Sequence, residues 1–222
     1  DVMLAKHAHG YRAFKLKVGF GEARDIGNVA AMQAQLPADC ELMVDANQAW
    51  DLEHATRMAG HWRDVGLTWL EEPLRADRPV AEWVRLAEQT DIALAAGENL
   101  IGRDAFDRMI TSKALKVVQP DLAKWGGISG CMAVIAQIHS AGQRYCPHFL
   151  GAGIGQLASG HVLAALGAVG GMLEIDSNEN PLRTALSPVL NAIVDGAVSL
   201  GHAPGLGVEP NIADLRTLCA SR

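Results

Sequence analysis

The sequence predicts an α/β protein of the parallel (β/α)8, or TIM-barrel, type, because short apolar runs recur along it at a regular spacing. Seven such runs, each short enough for a buried strand, end in a polar residue: Lys17, Asp45, Glu71, Glu98, Asp121, His148 and Glu174. Consecutive members of this series are 23 to 28 residues apart, which is the length of one strand, one helix and two short loops. Because the catalytic groups of such barrels lie at the carboxyl ends of the strands, the seven side chains are predicted to line one rim.

Strands and helices are predicted to alternate along the chain. The strands are placed at residues 12–18, 41–46, 67–72, 92–97, 115–119, 143–147 and 172–175. The helices are placed at residues 22–35, 51–64, 79–89, 104–111, 128–140 and 156–168, and Asp51 is the predicted N-cap of the second. In the third strand, alternation places Glu71 on one face and Glu72 on the other.

Seven strands are one fewer than a complete barrel requires. The chain begins at Asp1 rather than Met and opens with a helix-like segment, residues 1–9. We therefore expect a barrel that is incomplete at its N-terminus and lacks its first strand. Residues 1–190 are predicted to form the barrel domain, and residues 191–222 a C-terminal closing segment with a short hairpin and a helix.

Composition argues against several classes of protein. The chain of 222 residues is 49% hydrophobic and carries 19 Lys and Arg against 25 Asp and Glu, so we expect no basic surface for nucleic acid. No apolar stretch reaches the roughly 18 residues of a membrane span, and no secretory segment opens the chain. The four cysteines lie far apart without a CxxC pair, which predicts reduced thiols in a cytoplasmic protein. They are Cys40, Cys131, Cys146 and Cys219.

Three carboxylates end successive predicted strands and are expected to converge. Asp45, Glu71 and Glu98 would repel one another strongly in a buried site unless a cation joined them. Hard oxygen ligands suit Mg²⁺, with Mn²⁺ as the alternative. Any one of the three could be a separately solvated acid, but the set predicts a metal site.

Basic residues flank this predicted metal site in strand order. Lys15 and Lys17 alternate along the first strand and share a face, a pattern that also fits a half-exposed edge strand. A lysine beside a divalent cation suits a general base, and we assign this role to Lys17. On the other side, Asp121 can orient His148 from the neighbouring strand, although a histidine after a proline is often only a loop residue.

These residues and their order resemble the mandelate racemase subgroup of the enolase superfamily. The resemblance covers essentially the whole chain and rests on the motifs Lys15-x-Lys17, Asp45-x-Asn47, Glu71-Glu72-Pro73, Gly97-Glu98-Asn99, Pro120-Asp121 before Gly126-Gly127, His148 and Glu174. Muconate-cycloisomerase and dipeptide-epimerase members would have a lysine at position 121, so Asp121 favours the mandelate racemase side. Lys124 is expected in the following loop. The resemblance also implies an N-terminal lid domain, which we expect to be missing from this sequence.

The resemblance implies that a proton α to a substrate carboxylate is removed through an enediolate intermediate. Lys17 would act as base on one face of the substrate, and His148 with Asp121 as base or acid on the other. Glu174 would donate a hydrogen bond to the enolate oxygen. The implied site residues are Asp45, Glu71 and Glu98 for the metal, Lys15 and Asn47 for the substrate, and Lys17, His148, Asp121 and Glu174 for catalysis.

Three functional hypotheses follow for this site. The first is a Mg²⁺-dependent dehydratase of hydroxy acids or acid sugars, in which Lys17 or His148 takes the α-proton and His148 as acid helps to expel the β-hydroxyl group. The second is a racemase or epimerase with two bases on opposite faces. The third is a non-catalytic, metal-binding barrel fragment. The expected partner is a small carboxylate substrate; the substrate's identity, a homo-oligomeric assembly and the activity of a fragment without its lid stay open.

Overall fold

The computed structural model describes residues 2–166, 170–211, 213 and 215–217. Its centre is one parallel sheet, in which each strand pairs with its sequence neighbours. The strands of the described part are β1 (Ala13–Lys17), β2 (Glu41–Asp45), β3 (Leu70–Glu71), β4 (Leu94–Ala96), β5 (Val117–Val118) and β6 (Arg144–Tyr145). This order confirms the predicted parallel α/β class.

A helix follows each strand directly or after a loop and returns the chain so that the next strand can pair in parallel. The helices are α1 (Val2–Ala8), α2 (Glu22–Gln33), α3 (Leu52–His61), α4 (Val80–Glu88), α5 (Arg103–Ser112), α6 (Gly127–Ser140), α7 (Gly153–Ala165) and α8 (Pro181–Leu186), with a 3-10 turn at Pro188–Asn191. The predicted cap of α3 is confirmed, since the Asp51 carboxylate accepts from the His54 amide at 2.8 Å.

Strand alternation divides the sheet into two faces of different chemistry. One face packs on the helices in the main hydrophobic core, which includes Val44, Leu70 and Trp83. The other face carries a smaller buried cluster of Met43, Trp69, Ala95, Val117 and Cys146. Asp45 and Glu71 lie two residues beyond Met43 and Trp69 and therefore share their face. This second face changes from apolar to acidic toward the carboxyl ends of the strands.

The predicted strand at residues 172–175 is wrong, because this segment has no ladder partner. The Met172 amide donates to the Cys146 thiol at 3.4 Å instead of to a backbone carbonyl, and the Glu174 carbonyl accepts from the side chain of Gln156. Both of these backbone groups are thus bonded to side chains and not to a neighbouring strand. Within the described ranges the sheet has six strands.

The predicted closing segment is partly described. Its hairpin is a single bridge between Val194 and Ala197, and the Gly196 amide donates to the Gly10 carbonyl at 2.6 Å. The helix predicted after it is described only at residues 213 and 215–217, and the last residues of the helix predicted at 156–168 lie outside the described ranges. Cys40, Cys131 and Cys146 are free thiols, and Cys219 lies outside the described residues. No helix in the described part is both long and apolar enough to cross a membrane.

Gly97 lies immediately after β4 and before Glu98, and it allows the chain at the end of β5 to approach closely. Its φ is +148°, and a Cβ atom there would lie 2.6 Å from the Gln119 amide nitrogen. We expect Gly97→Ala to lower the free energy of unfolding by about 1–3 kcal/mol, because the two strands would have to separate. Urea denaturation measures this loss. Gly66→Ala is the control, since Gly66 also has a positive φ but an added Cβ atom would meet nothing within 4 Å; equal losses for both variants would contradict the steric explanation.

Candidate active site

The strand register brings the predicted acidic and basic side chains together. Lys17 pairs in register with Asp45, and Asp45 pairs with Glu71 on the next strand. The loop after β1 is held by the buried Asp25 carboxylate at the start of α2, which accepts from the Gly19 amide at 2.8 Å. The position of Lys17 therefore depends on an ordered turn as well as on the sheet.

Lys15 contacts three carboxylates of the site. Its Nζ lies 2.5 Å from Glu71, 2.6 Å from Glu174 and 3.5 Å from Asp45. Burial alone would lower the pKa of Lys15, but the three carboxylates outweigh it and raise the pKa above its usual range. Lys17, whose side chain is 49% exposed, contacts Asp45 at 2.5 Å. Burial would raise the pKa of Asp45, but the two ammonium groups hold it below its usual range.

Two donors around Glu71 were not singled out from the sequence. The indole of Trp69 and the side-chain amide of Gln119 donate to the same Glu71 oxygen, at 2.9 and 2.8 Å. Burial raises the pKa of Glu71 to about 7, with neighbouring carboxylates adding to the effect and Lys15 opposing it. Trp69 could have been found from its position two residues before Glu71 on the same strand face.

His148 lies in a row of carboxylates, as its place in the strand series predicts. Its Nδ1 is 3.0 Å from Asp121, and its Nε2 is 2.8 Å from Glu98 and 4.0 Å from Glu174. Burial would lower the pKa of His148, but hydrogen bonds to Asp121 and Glu98 raise it to about 9. The Asp121 carboxylate is itself oriented by the Ala123 amide, which donates to it at 2.7 Å.

Lys124 belongs to the site although the sequence placed it only in the following loop. Its backbone lies in the turn after Asp121, but its Nζ reaches Glu98 at 2.9 Å. Burial would raise the pKa of Glu98, but His148 and Lys124 outweigh it and lower the pKa to about 2. The spacing of three residues from Asp121 was the available signal, because a tight turn returns such a residue toward the same strand end.

Glu72 also reaches this region, contrary to the prediction that it points away from Glu71. Its φ is +40°, so the chain leaves strand geometry here and alternation no longer applies. The buried Glu72 carboxylate accepts from the Asn99 side-chain amide at 2.9 Å, and the same amide donates to Glu98 at 3.2 Å. Burial raises the pKa of Glu72 to about 7, and the Glu98 charge adds to this.

Asn47 lies beside the acidic cluster as an exposed residue with φ of +45°. Its backbone amide donates to the Asp45 carboxylate at 2.8 Å. This contact orients the carboxylate, and the predicted contact of Asn47 with substrate stays a prediction.

The three predicted metal ligands line one region without gathering around one point. Asp45 and Glu71 both face Lys15, whereas Glu98 faces His148 and Lys124. Among the described residues, the donor atoms close enough to share an ion are those of His7, Asp39 and Cys40, where Asp39 is already paired with Arg12 at 2.8 Å.

The donor set of the strand ends nevertheless fits Mg²⁺. The available donors are buried carboxylate oxygens, which are the ligands that this ion prefers. Beside these ligands, Glu174 Oε2 is a buried carboxylate oxygen without a hydrogen-bond partner in the described part of the chain. Burial, together with the neighbouring carboxylates, raises the pKa values of Glu71 and Glu72, and a cation there would offset both causes.

The fold and the site together define a class of protein: a parallel α/β barrel with carboxylates, lysines and a carboxylate-bound histidine at the carboxyl ends of its strands. The family model described as enolase C-terminal domain-like matches residues 2–215. The chain therefore belongs to this family, which confirms the superfamily indicated by the motifs.

Individual relatives agree with this assignment. The chain is 31% identical to D-galactarolactone cycloisomerase from Agrobacterium fabrum over 218 residues, covering 94% of this chain and 57% of that protein. The crystal structure of a mandelate racemase/muconate lactonizing enzyme from Bordetella bronchiseptica RB50 matches with a TM-score of 0.95 and 53% identity, covering 99% of this chain and 61% of that chain. L-Talarate dehydratase from Polaromonas sp. JS666, complexed with Mg and L-glucarate, matches with a TM-score of 0.77 and 30% identity over 94% of this chain and 56% of that one. The chain thus spans little more than half the length of these proteins.

Proposed function

We propose that this chain is the barrel portion of an enzyme that removes a proton α to a carboxylate through an enediolate and dehydrates a hydroxy acid or acid sugar. The observation that carries the proposal is the position of His148, which is hydrogen-bonded to Asp121 at 3.0 Å and faces Glu98 and Glu174. Lys15 contacts Glu174 from the other side, and Lys17 contacts the neighbouring Asp45. Two kinds of proton-transfer group thus flank one acidic site.

Asp45, Glu71 and Glu98 would hold Mg²⁺ in this site, with Mn²⁺ as the alternative. The bound ion would supply a Lewis acid that stabilises negative charge on the substrate carboxylate. A similar structure that contains Mg and L-glucarate supports both the ion and an acid-sugar ligand.

Lys17 is the proposed base for the α-proton. Its side chain is half exposed, so its amine can reach a substrate that enters from the strand ends, and Asp45 holds it in place. Lys15 is largely buried and would bind the substrate carboxylate through its charge, with Asn47 contacting the same end of the substrate.

His148 is the proposed acid that protonates the departing β-hydroxyl group. Asp121 fixes its Nδ1, which leaves Nε2 directed into the site. Glu174, between Lys15 and His148, would donate a hydrogen bond to the enolate oxygen.

A racemase or epimerase is the second candidate, because Lys17 and His148 come from opposite ends of the strand series and could exchange a proton on two faces. Related proteins include a cycloisomerase as well as a dehydratase, and both reactions begin with the same proton abstraction. The small-carboxylate partner, the cytoplasmic location and any homo-oligomeric assembly stay predictions.

Incubation of the full-length protein with Mg²⁺ and a panel of acid sugars in D₂O tests these functions. We expect at least one acid to lose water and give a keto acid, detected by mass spectrometry and NMR. Deuterated substrate with no keto acid would instead support the racemase. Mg²⁺ binding without deuterium uptake by any acid would contradict both and favour the non-catalytic barrel.

A further inference from the structure

Lys15 occupies a position between two of the proposed metal ligands. Its Nζ lies 2.5 Å from Glu71 and 3.5 Å from Asp45, and these residues are register partners on adjacent strands. Only 13% of the Lys15 side chain is exposed, and the Asp45 and Glu71 side chains are fully buried. Lys17 holds the same Asp45 oxygen more closely, at 2.5 Å, so the carboxylate that Lys15 chiefly neutralises is Glu71.

We propose that Lys15 is an internal competitor of the metal ion, so that Mg²⁺ binds to Glu71 only as the ammonium group leaves this carboxylate for Glu174 and the substrate carboxylate. This inference rests on the proposed function, because it requires a metal site at Asp45 and Glu71. It adds a control of metal binding by a residue that is not itself a ligand.

Charge and distance support competition over simple coexistence. A magnesium ion bound to a carboxylate lies about 2.1 Å from the oxygen. One Glu71 oxygen already accepts from Trp69 and Gln119, so an ion would bind the other oxygen, which faces Lys15, and would lie close to the present position of the ammonium. Like charges at such a separation in a buried site repel strongly. One of the two cations must therefore move.

Lys15 has a second partner that makes this movement feasible. Glu174 lies 2.6 Å from its Nζ and is not among the proposed metal ligands. The ammonium can therefore give up Glu71 without becoming an unpaired buried charge. A substrate carboxylate would provide a further partner at the moment when the metal needs Glu71.

If Lys15 competes with the metal ion, a substitution in the metal site should strengthen Mg²⁺ binding and not weaken it. Removing Lys15 should tighten Mg²⁺ binding, although the same change removes a substrate contact. Isothermal titration of the full-length protein, dialysed against EDTA and then freed of chelator, with Mg²⁺ alone measures this directly. We expect Lys15→Met to lower the dissociation constant about tenfold, within the roughly 5- to 150-fold range of ordinary coupling between ligands.

Two further variants keep the result interpretable. Lys15→Gln also removes the charge but retains a hydrogen-bond donor for Glu71, and circular dichroism shows which variants are folded. Lys116 is an exposed lysine immediately before β5, at the opposite end of the strand from the site. Lys116→Met removes its charge and should leave the dissociation constant for Mg²⁺ within about twofold of that of the unchanged protein.

Different results would contradict the proposed metal site and the competition by Lys15. If the unchanged protein binds neither Mg²⁺ nor Mn²⁺ at millimolar concentration, the proposed metal site falls and the inference with it. If the unchanged protein binds Mg²⁺ and the folded Lys15 variants bind it equally or more weakly, the competition is refuted while the proposed function stands.

Discussion

Replacing His148 with asparagine is expected to lower kcat for dehydration by about 10²- to 10⁴-fold, the usual contribution of a general acid or base. Asparagine can retain a hydrogen bond to Asp121, which lies 3.0 Å from the ring, but it cannot deliver a proton to the leaving hydroxyl group. The rate of keto-acid formation, measured with the best acid sugar from the D₂O panel, gives the size of the effect.

Exchange of the α-proton for deuterium, the first step of the reaction, provides the control for this variant. If Lys17 is the base, His148→Asn should still exchange the α-proton for deuterium, whereas Lys17→Met should lose both exchange and dehydration. His139→Asn changes an exposed histidine on α6 and should leave the rate unchanged. Dehydration at the normal rate by His148→Asn would remove His148 from the reaction.

The second large effect is expected from Asp45→Asn, which should lower both Mg²⁺ affinity and activity at limiting Mg²⁺. Asp45 is completely buried, contacts Lys17 at 2.5 Å and accepts from the Asn47 amide at 2.8 Å. The substitution keeps the shape of the side chain but removes its charge. We expect a loss of about 10³-fold in kcat/KM, corresponding to about 4 kcal/mol of metal-derived stabilisation of the transition state.

Mg²⁺ titration separates this effect from a general loss of structure. Activity of Asp45→Asn should recover in part at high Mg²⁺ concentration if the variant is folded and only its metal affinity is reduced. Asp77→Asn is the matched control, because Asp77 is an exposed carboxylate that pairs with the nearby Arg75 at 2.7 Å, outside the site. Unchanged Mg²⁺ affinity in Asp45→Asn would show that Asp45 is not a ligand.

Much of the fold could be read from local pattern. The regular spacing of short apolar runs predicted the order of strands and helices, because a short apolar run is itself the local signal of a buried strand. The exception, residues 172–175, has the apolar pattern of a strand but gives its backbone hydrogen bonds to the side chains of Cys146 and Gln156. Such partners come from distant parts of the chain, so a local pattern cannot reveal them.

The sequence by itself determined which residues stand at the strand ends, and therefore that Lys17, Asp45, Glu71 and His148 share one acidic and basic site. Only the tertiary structure decided which charge faces which: Lys15 pairs with Glu71, Lys124 reaches Glu98, and Glu72 turns toward the site. The reason is physical. Side-chain alternation is a property of the strand itself, whereas ion pairing depends on distances between strands and on turn geometry, which the folded chain alone sets.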